Sequence, residues 1–374
     1  MKRNKFSRIP HIGAICLSAL AASAFCATAQ TAQRLEATKA NDYAVIYSMP
    51  ATMVDVTLEA EITVKRPGEF YKYAPKYLNV NNPITAESHS VKLLSAVIGT
   101  HGIADPDQQF AVTFKSSNPV VVNLDSNGVP LSINTEETPS VDAPVLPEAQ
   151  VAKPTPLESA AARQVVTQEM IQSQSTAKKA ELAAQAIFNI RQTINDLNSG
   201  QAETMPPDGA SLKLMLDNLH AQEDALTAMF LGTTSVSTQV KTITIDPAKL
   251  ADNDTFSTVI ARLSPLDGIV DSENLSGAPV TLTLNVESRG EMPVNEKGQE
   301  LPFPKNGIPY VIPGQLSATV SYEGDTYCTA TLSASQLGIV YGLAPNSFTD
   351  RKAPIAILYD PATGAILRQF PALR

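Results

Sequence analysis

The sequence predicts an α+β, mainly β protein, with two antiparallel β-sandwich or barrel-like domains and an inserted antiparallel helical hairpin. Three observations carry that reading. From Val54 to Val64 apolar and polar residues alternate; between Ser175 and Gly232 apolar residues recur every three or four positions; after Gly232 short β-branched runs follow at near-regular intervals. Period two puts alternate side chains on opposite faces of a strand, whereas spacings of three and four draw one stripe along a helix.

The chain begins with Lys2, Arg3, Lys5 and Arg8, then an apolar run from Ile12 to Phe25 and the small residues Ala27-Thr28-Ala29. This is the pattern of a secretory leader, so residues 1–29 are read as a cleavable signal peptide with cleavage before Gln30. The expected address is the periplasm, the cell surface or the medium. No later stretch approaches the roughly 18 apolar residues of a transmembrane helix, so an integral membrane protein is not expected. Lipidation at Cys26 is not expected either, because Phe25 stands where a small residue is required. Cleavage leaves Cys328 as the single cysteine, which rules out an intramolecular disulfide; its strand-like surroundings predict a buried, unreactive thiol.

With 374 residues, 43% hydrophobic and 17% charged, the chain can build two or more cores. Its formal net charge is −9, or −13 once the four basic residues of the leader are removed. Such a balance disfavours nucleic acid and anionic membrane surfaces as partners.

Residues 30–135 are read as an N-terminal β-domain. The Val54–Val64 strand ends at Pro67-Gly68, and the aromatic piece Phe70 to Leu78 reads as a short helix or turn over the sheet. Further strands are predicted at Ser90–Ile98, Gln109–Phe114, Val120–Leu124 and Val129–Ile133, with Asp105-Pro106-Asp107 and Asp125-Ser126-Asn127-Gly128 as separators. Residues 136–174 form a Pro-rich linker and a lead-in, with five prolines between Pro139 and Pro156.

Residues 175–232 are the helical hairpin. Ala180, Ala183, Ile187, Ile190, Ile194 and Leu197 line one helix, capped by Ser175 or Thr176 and closed by Gly200. Leu212, Met215, Leu219, Leu226 and Met229 line the other, which starts at the cap Asp208. Residues 233–374 read as a C-terminal β-domain, with a long strand at Thr233–Ile245 and shorter ones at Phe256–Leu263, Val280–Val286, Leu316–Tyr322, Tyr327–Leu332, Gly338–Gly342 and Ile355–Tyr359.

Four motifs occur in a recognisable order: Glu69 to Leu78 (EFYKYAPKYL), Met205 to Gly209 followed by Ser211 to Leu216, Leu275 to Val280 (LSGAPV), and Gly307 to Gly314 (GIPYVIPG). Together they resemble an uncharacterised family of exported Bacteroidota proteins classed as a domain of unknown function of the 4831 type. The resemblance implies an envelope or secreted location and a β-rich protein with an inserted helical pair. It carries no reaction and transfers no catalytic residue.

Chemistry is sparse. His89, His101 and His220 make no close pair in sequence, and no nucleophile elbow, zinc-binding helix, phosphate loop or EF-hand spacing occurs, so neither a cofactor nor a metal is implied. Asp105 with Asp107, and Asp252 with Asp254, read as solvated turns rather than calcium ligands. Tyr71, Tyr73 and Tyr77 are the candidate binding residues: aromatic rings can stack on a glycan or anchor another envelope protein, although packing over the sheet explains them more simply. The expectation is a non-enzymatic structural or binding module of the periplasm or cell surface. The alternative is a hydrolase acting on envelope or dietary polymers through a loop-assembled site.

Overall fold

Strict alternation is realised in two strands much longer than the stretch that announces it. The computed structural model describes residues 31–34, 45–113, 120–140, 144–250, 252–305, 307–344, 346–350 and 353–372. The predicted leader, residues 1–29 with Cys26, lies outside the described residues. The strands are β1 (Thr31–Arg34), β2 (Val45–Arg66), β3 (Ser88–Thr113), β4 (Val122–Leu124), β5 (Pro130–Ile133), β6 (Thr233–Ile245), β7 (Thr255–Ser264), β8 (Gly268–Asp271), β9 (Ala278–Ser288), β10 (Ile308–Tyr322), β11 (Asp325–Leu343), β12 (Ile355–Tyr359) and β13 (Ile366–Pro371). The helices are α1 (Ala74–Leu78), α2 (Ala160–Gln164), α3 (Gln168–Gln172), α4 (Thr176–Ser199), α5 (Gly209–Leu231) and α6 (Asn346–Thr349). This is an α+β, mainly β fold built from antiparallel sheets.

Three sheets run in the orders β1-β3-β2-β6, β11-β10-β9-β7-β8 and β13-β12-β5-β4. Strands from either side of the hairpin share the first and third sheets: β6 pairs along β2 from Val54↔Ile245 to Arg66↔Thr233, and β5 pairs with β12. At 22 residues, β2 spans about 70 Å at 3.3 Å per residue, so a single strand serves two cores. Val54, Val56, Leu58 and Ala60 pack against Leu282, Leu284, Leu316 and Ala318 of the second sheet. Tyr47 and Met49 pack instead with Phe110, Ile133, Ile308, Ile357 and Tyr359 around the third.

The passage from one core to the other is marked by breaks in register. In the β2–β3 ladder the break lies between Ser48 and Pro50, opposite Gln109 and Ala104. The Asp105-Pro106-Asp107 turn is therefore an outward bulge inside one long β3, where the sequence predicted two separate strands. An extra loop of residues relieves the ladder locally and lets the strand bend without ending. The β10–β11 ladder breaks in the same way between Ile312 and Gly314, opposite Ile339 and Ala334. Its bulge carries Ser335 and Gln336 to Thr52: Thr52 Oγ1 accepts from the Ser335 N–H at 3.0 Å and donates to the Ala362 carbonyl at 2.8 Å, and Gln336 Nε2 donates to the Thr52 carbonyl at 2.9 Å. Gly338 permits the crossing, since a Cβ there would stand 2.4 Å from the Ile312 oxygen.

The hairpin forms where its caps place it. The Ser175 side chain accepts from the Lys178 N–H, the Asp208 carboxylate accepts from the Ser211 N–H at 2.8 Å, and Gly200 closes α4 at φ 71°. Ala180, Ala183, Ile187, Ile194 and Leu197 are buried as their spacing predicts. In α5 burial concentrates at the end nearest the sheets, on Ala225, Leu226, Ala228 and Phe230, while Met215 is exposed. The Glu69–Leu78 piece docks on this helical core rather than over a sheet. The Phe70 N–H donates to the Met229 carbonyl at 2.7 Å, and the Phe70 and Phe230 rings lie 5.4 Å apart. The lead-in before the hairpin is helical, as α2 and α3.

Candidate functional site

The site begins with β6, whose composition of Thr, Ser and Val suits a half-exposed strand. It forms the edge of the first sheet, with β2 on one side and no strand on the other among the described residues. The Thr238 N–H points away from β2 and donates to the Gln150 carbonyl at 2.9 Å, while the Gln150 N–H donates to Thr238 Oγ1 at 2.7 Å. Backbone groups along an antiparallel strand alternate sides, and the β2–β6 pairing has no register shift. Thr234 and Val236 therefore turn their N–H and C=O groups outward as Thr238 does, whereas Ser235 and Ser237 face β2.

The Pro-rich segment supplies the opposite wall. It crosses the outer face of the first sheet, where Pro144 sits over Gly99 at a distance that would leave a Cβ 3.2 Å from its ring. It meets β6 at Gln150, and Val151 and Lys153 to Pro156 then face Thr234 to Thr238 across a gap. One backbone bond ties the wall to β6, and farther along Pro154 and Pro156 have no N–H with which to extend a ladder. The Thr155 N–H turns instead to Glu158 Oε2 at 2.8 Å, closing a capping box. That bond, with Arg66 nearby, holds the Glu158 carboxyl below its usual range. The gap left behind is a cleft of ≈ 400 Å³. Its lining mixes Thr and Ser residues with Val151, Val236, Pro154 and Pro156, and includes Glu61 from β2 and Lys153 from the Pro-rich wall.

A second polar cluster lies farther along the same sheet. His101 Nδ1 is 2.5 Å from Asp55 Oδ2, and Thr244 Oγ1 donates to Asp55 Oδ1 at 2.6 Å. Asp55, Gly99 and Thr244 share one rung across three strands, which places these side chains on the outer face. A nucleophilic triad needs the hydroxyl on the imidazole. Here both partners converge on the carboxylate, and the cluster ties three strands together.

A family model described as a domain of unknown function, DUF4831, matches residues 43–367. The chain belongs to the DUF4831 family. No curated protein and no solved structure was found to match it.

In this DUF4831 chain the three tyrosines named from sequence part company. Tyr73 and Tyr77 pack against the helical core with ring centroids 6.3 Å apart, and Lys76 Nζ stands 4.8 Å from the Tyr77 centroid. Tyr71 lies half-buried outside that cluster, with Lys72 Nζ 5.8 Å from its ring. Asp105 accepts from the Asp107 N–H at 2.8 Å, and Asp254 pairs with Arg289 at 3.2 Å. Among the described residues no group of three or more His, Cys, Asp or Glu is placed to hold a metal ion, and no helix is long and apolar enough to cross a membrane. His220 is exposed, 4.0 Å from Glu223. Cys328 is half-buried against the aliphatic core.

Sequence reasoning missed the cleft. Nothing in the composition of residues 144–156 says that they lie alongside β6, 80 or more positions later in places; the pairing of Gln150 with Thr238 is a separation of 88 residues. The one available signal was the cluster of prolines, which marks a segment that can run beside a strand without completing a ladder.

Proposed function

We propose that this DUF4831 chain is an exported, non-enzymatic binding module of the bacterial envelope whose contact site is the cleft between β6 and the Pro-rich wall. One observation carries the reading. The cleft presents outward backbone donors and acceptors, hydroxyls, two valines and one charge of each sign, and among the described residues its lining has no imidazole or thiol, which is equipment suited to recognition. The leader pattern in residues 1–29 supports export.

Two measurements test this. Fusing residues 1–29 to a reporter should carry it out of the cytoplasm, and mass spectrometry of the secreted chain should find Gln30 at the N-terminus; a cytoplasmic product retaining Met1 overturns export. The purified chain should turn over neither peptidoglycan fragments, polysaccharides nor chromogenic esters. Turnover lost on His101→Asn or Asp55→Asn would instead identify the sheet-face cluster as catalytic.

A further inference from the structure

We infer that the outward side of β6 accepts an extended peptide segment of another envelope protein, which adds to the first sheet as a further antiparallel or parallel strand. The inference deepens the binding-module reading and rests on it. Two residues, Thr234 and Val236, offer N–H and C=O groups in the alternating order that only an extended backbone matches along its length. The chain itself shows part of the mode one step further on, where the Gln150 carbonyl accepts from the outward Thr238 N–H at 2.9 Å while its own N–H turns to the Thr238 hydroxyl at 2.7 Å. An added strand continues that rung toward Thr233.

The shape of the cleft selects the occupant. A second folded copy would bring its own Pro-rich wall against this one, so the edge is closed to sheet-to-sheet pairing, while ≈ 400 Å³ admits a few residues of a single extended chain. Val236 is 45% exposed on the strand and Val151 91% exposed on the wall, which gives an entering segment an apolar contact on each side. Glu61 on the sheet side and Lys153 on the wall set opposite charges across the gap. A segment that alternates a basic and an acidic side chain between its two faces meets both.

Amide hydrogen exchange on the intact exported chain reads the proposal directly. Without ligand, the N–H groups of Ser235 and Ser237 should exchange slowly and those of Thr234 and Val236 fast. Linear twelve-residue peptides selected from a displayed library should then slow Thr234 and Val236 tenfold or more. N-methylation of alternate peptide amides should abolish this in one phase and spare it in the other. Val236→Pro, on an edge strand, removes the outward N–H together with the valine side chain and should abolish peptide binding with little change in Tm, whereas Val236→Ala keeps the N–H and should only weaken it. Four results overturn the proposal: no selected peptide protects these two amides; they are already protected in the free monomer; a dimer in light scattering protects them; or a soluble glycan protects them where peptides do not. Those results leave export and the lack of turnover standing, whereas cytoplasmic retention or turnover sinks the wider reading without touching the amide pattern.

Discussion

The two cores served by β2 are built from different materials. The core against the second sheet is aliphatic through its centre, with Val54, Val56, Leu58 and Ala60 meeting Leu282, Leu284, Leu316 and Val320, and carries its one buried tyrosine, Tyr322, at the end of β10. The core against the third sheet is assembled from six separated stretches of chain and carries hydroxyls, with Tyr47 and Tyr359 both buried. An aliphatic sandwich needs only correct alternation and volume. A core that holds buried hydroxyls also needs a partner for each, and that requirement ties its stability to particular atoms and to pH.

The contrast is broken most severely from the aliphatic side. Leu58→Ala, at a fully buried position, should cost about 2–5 kcal/mol in denaturant unfolding, because the rigid layers on either side cannot close the cavity. A loss under about 1 kcal/mol would mean that this layer is loosely packed.

Next in size is the clasp between the cores. Thr52→Val keeps the shape but strips the acceptor from the Ser335 N–H and the donor from the Ala362 carbonyl, so about 1–3 kcal/mol should be lost. If the clasp couples the cores, the variant should also show separate transitions by tyrosine fluorescence and far-UV circular dichroism. A single unchanged transition would show that the shared strands alone enforce cooperativity.

The same contrast explains what could be read in the sequence. Alternation from Val54 to Val64 and the stripes and caps of α4 and α5 are local signals, and each produced the element expected at that place. The long β3 was hidden because Asp105-Pro106-Asp107 has the composition of a turn, and the same composition serves a bulge once β2 lies alongside. The strands β8 and β13 were hidden because they are short and obtain their pairing from distant partners. The Thr52 clasp and the cleft beside β6 rest on contacts across 283 and 88 residues, which no local period encodes. Tyrosines 73 and 77 carried a visible motif whose packing partner, the end of α5, became evident only in three dimensions.

A smaller effect separates the two hydroxyls within the tyrosine core. Tyr47 Oη donates to the Pro309 carbonyl at 3.3 Å, so Tyr47→Phe should cost about 0.5–1.5 kcal/mol at neutral pH. The Tyr359 hydroxyl is buried with no partner among the described residues. Tyr359→Phe removes an unmet polar group and should leave neutral-pH stability unchanged or slightly raised.

At alkaline pH the Tyr359 variant should separate from the parent. Burial, followed by the neighbouring Tyr310, pushes the Tyr359 phenol above its ordinary value of 10.0, and burial, followed by Tyr359, does the same for Tyr47. A phenol that ionises in the unfolded chain near pH 10 but stays neutral when folded favours unfolding as the pH rises. Its contribution is therefore complete below about pH 10 and declines above it, by about 1.4 kcal/mol per pH unit for each such group. Tyr359→Phe should make this decline shallower by one group, and the double variant with Tyr47→Phe should flatten it further, measured as unfolding free energy between pH 9 and 11. The core against the second sheet holds one such phenol at its end, Tyr322, raised first by burial and then by Glu323, so an unaltered alkaline decline in the double variant would place its origin outside the tyrosine core.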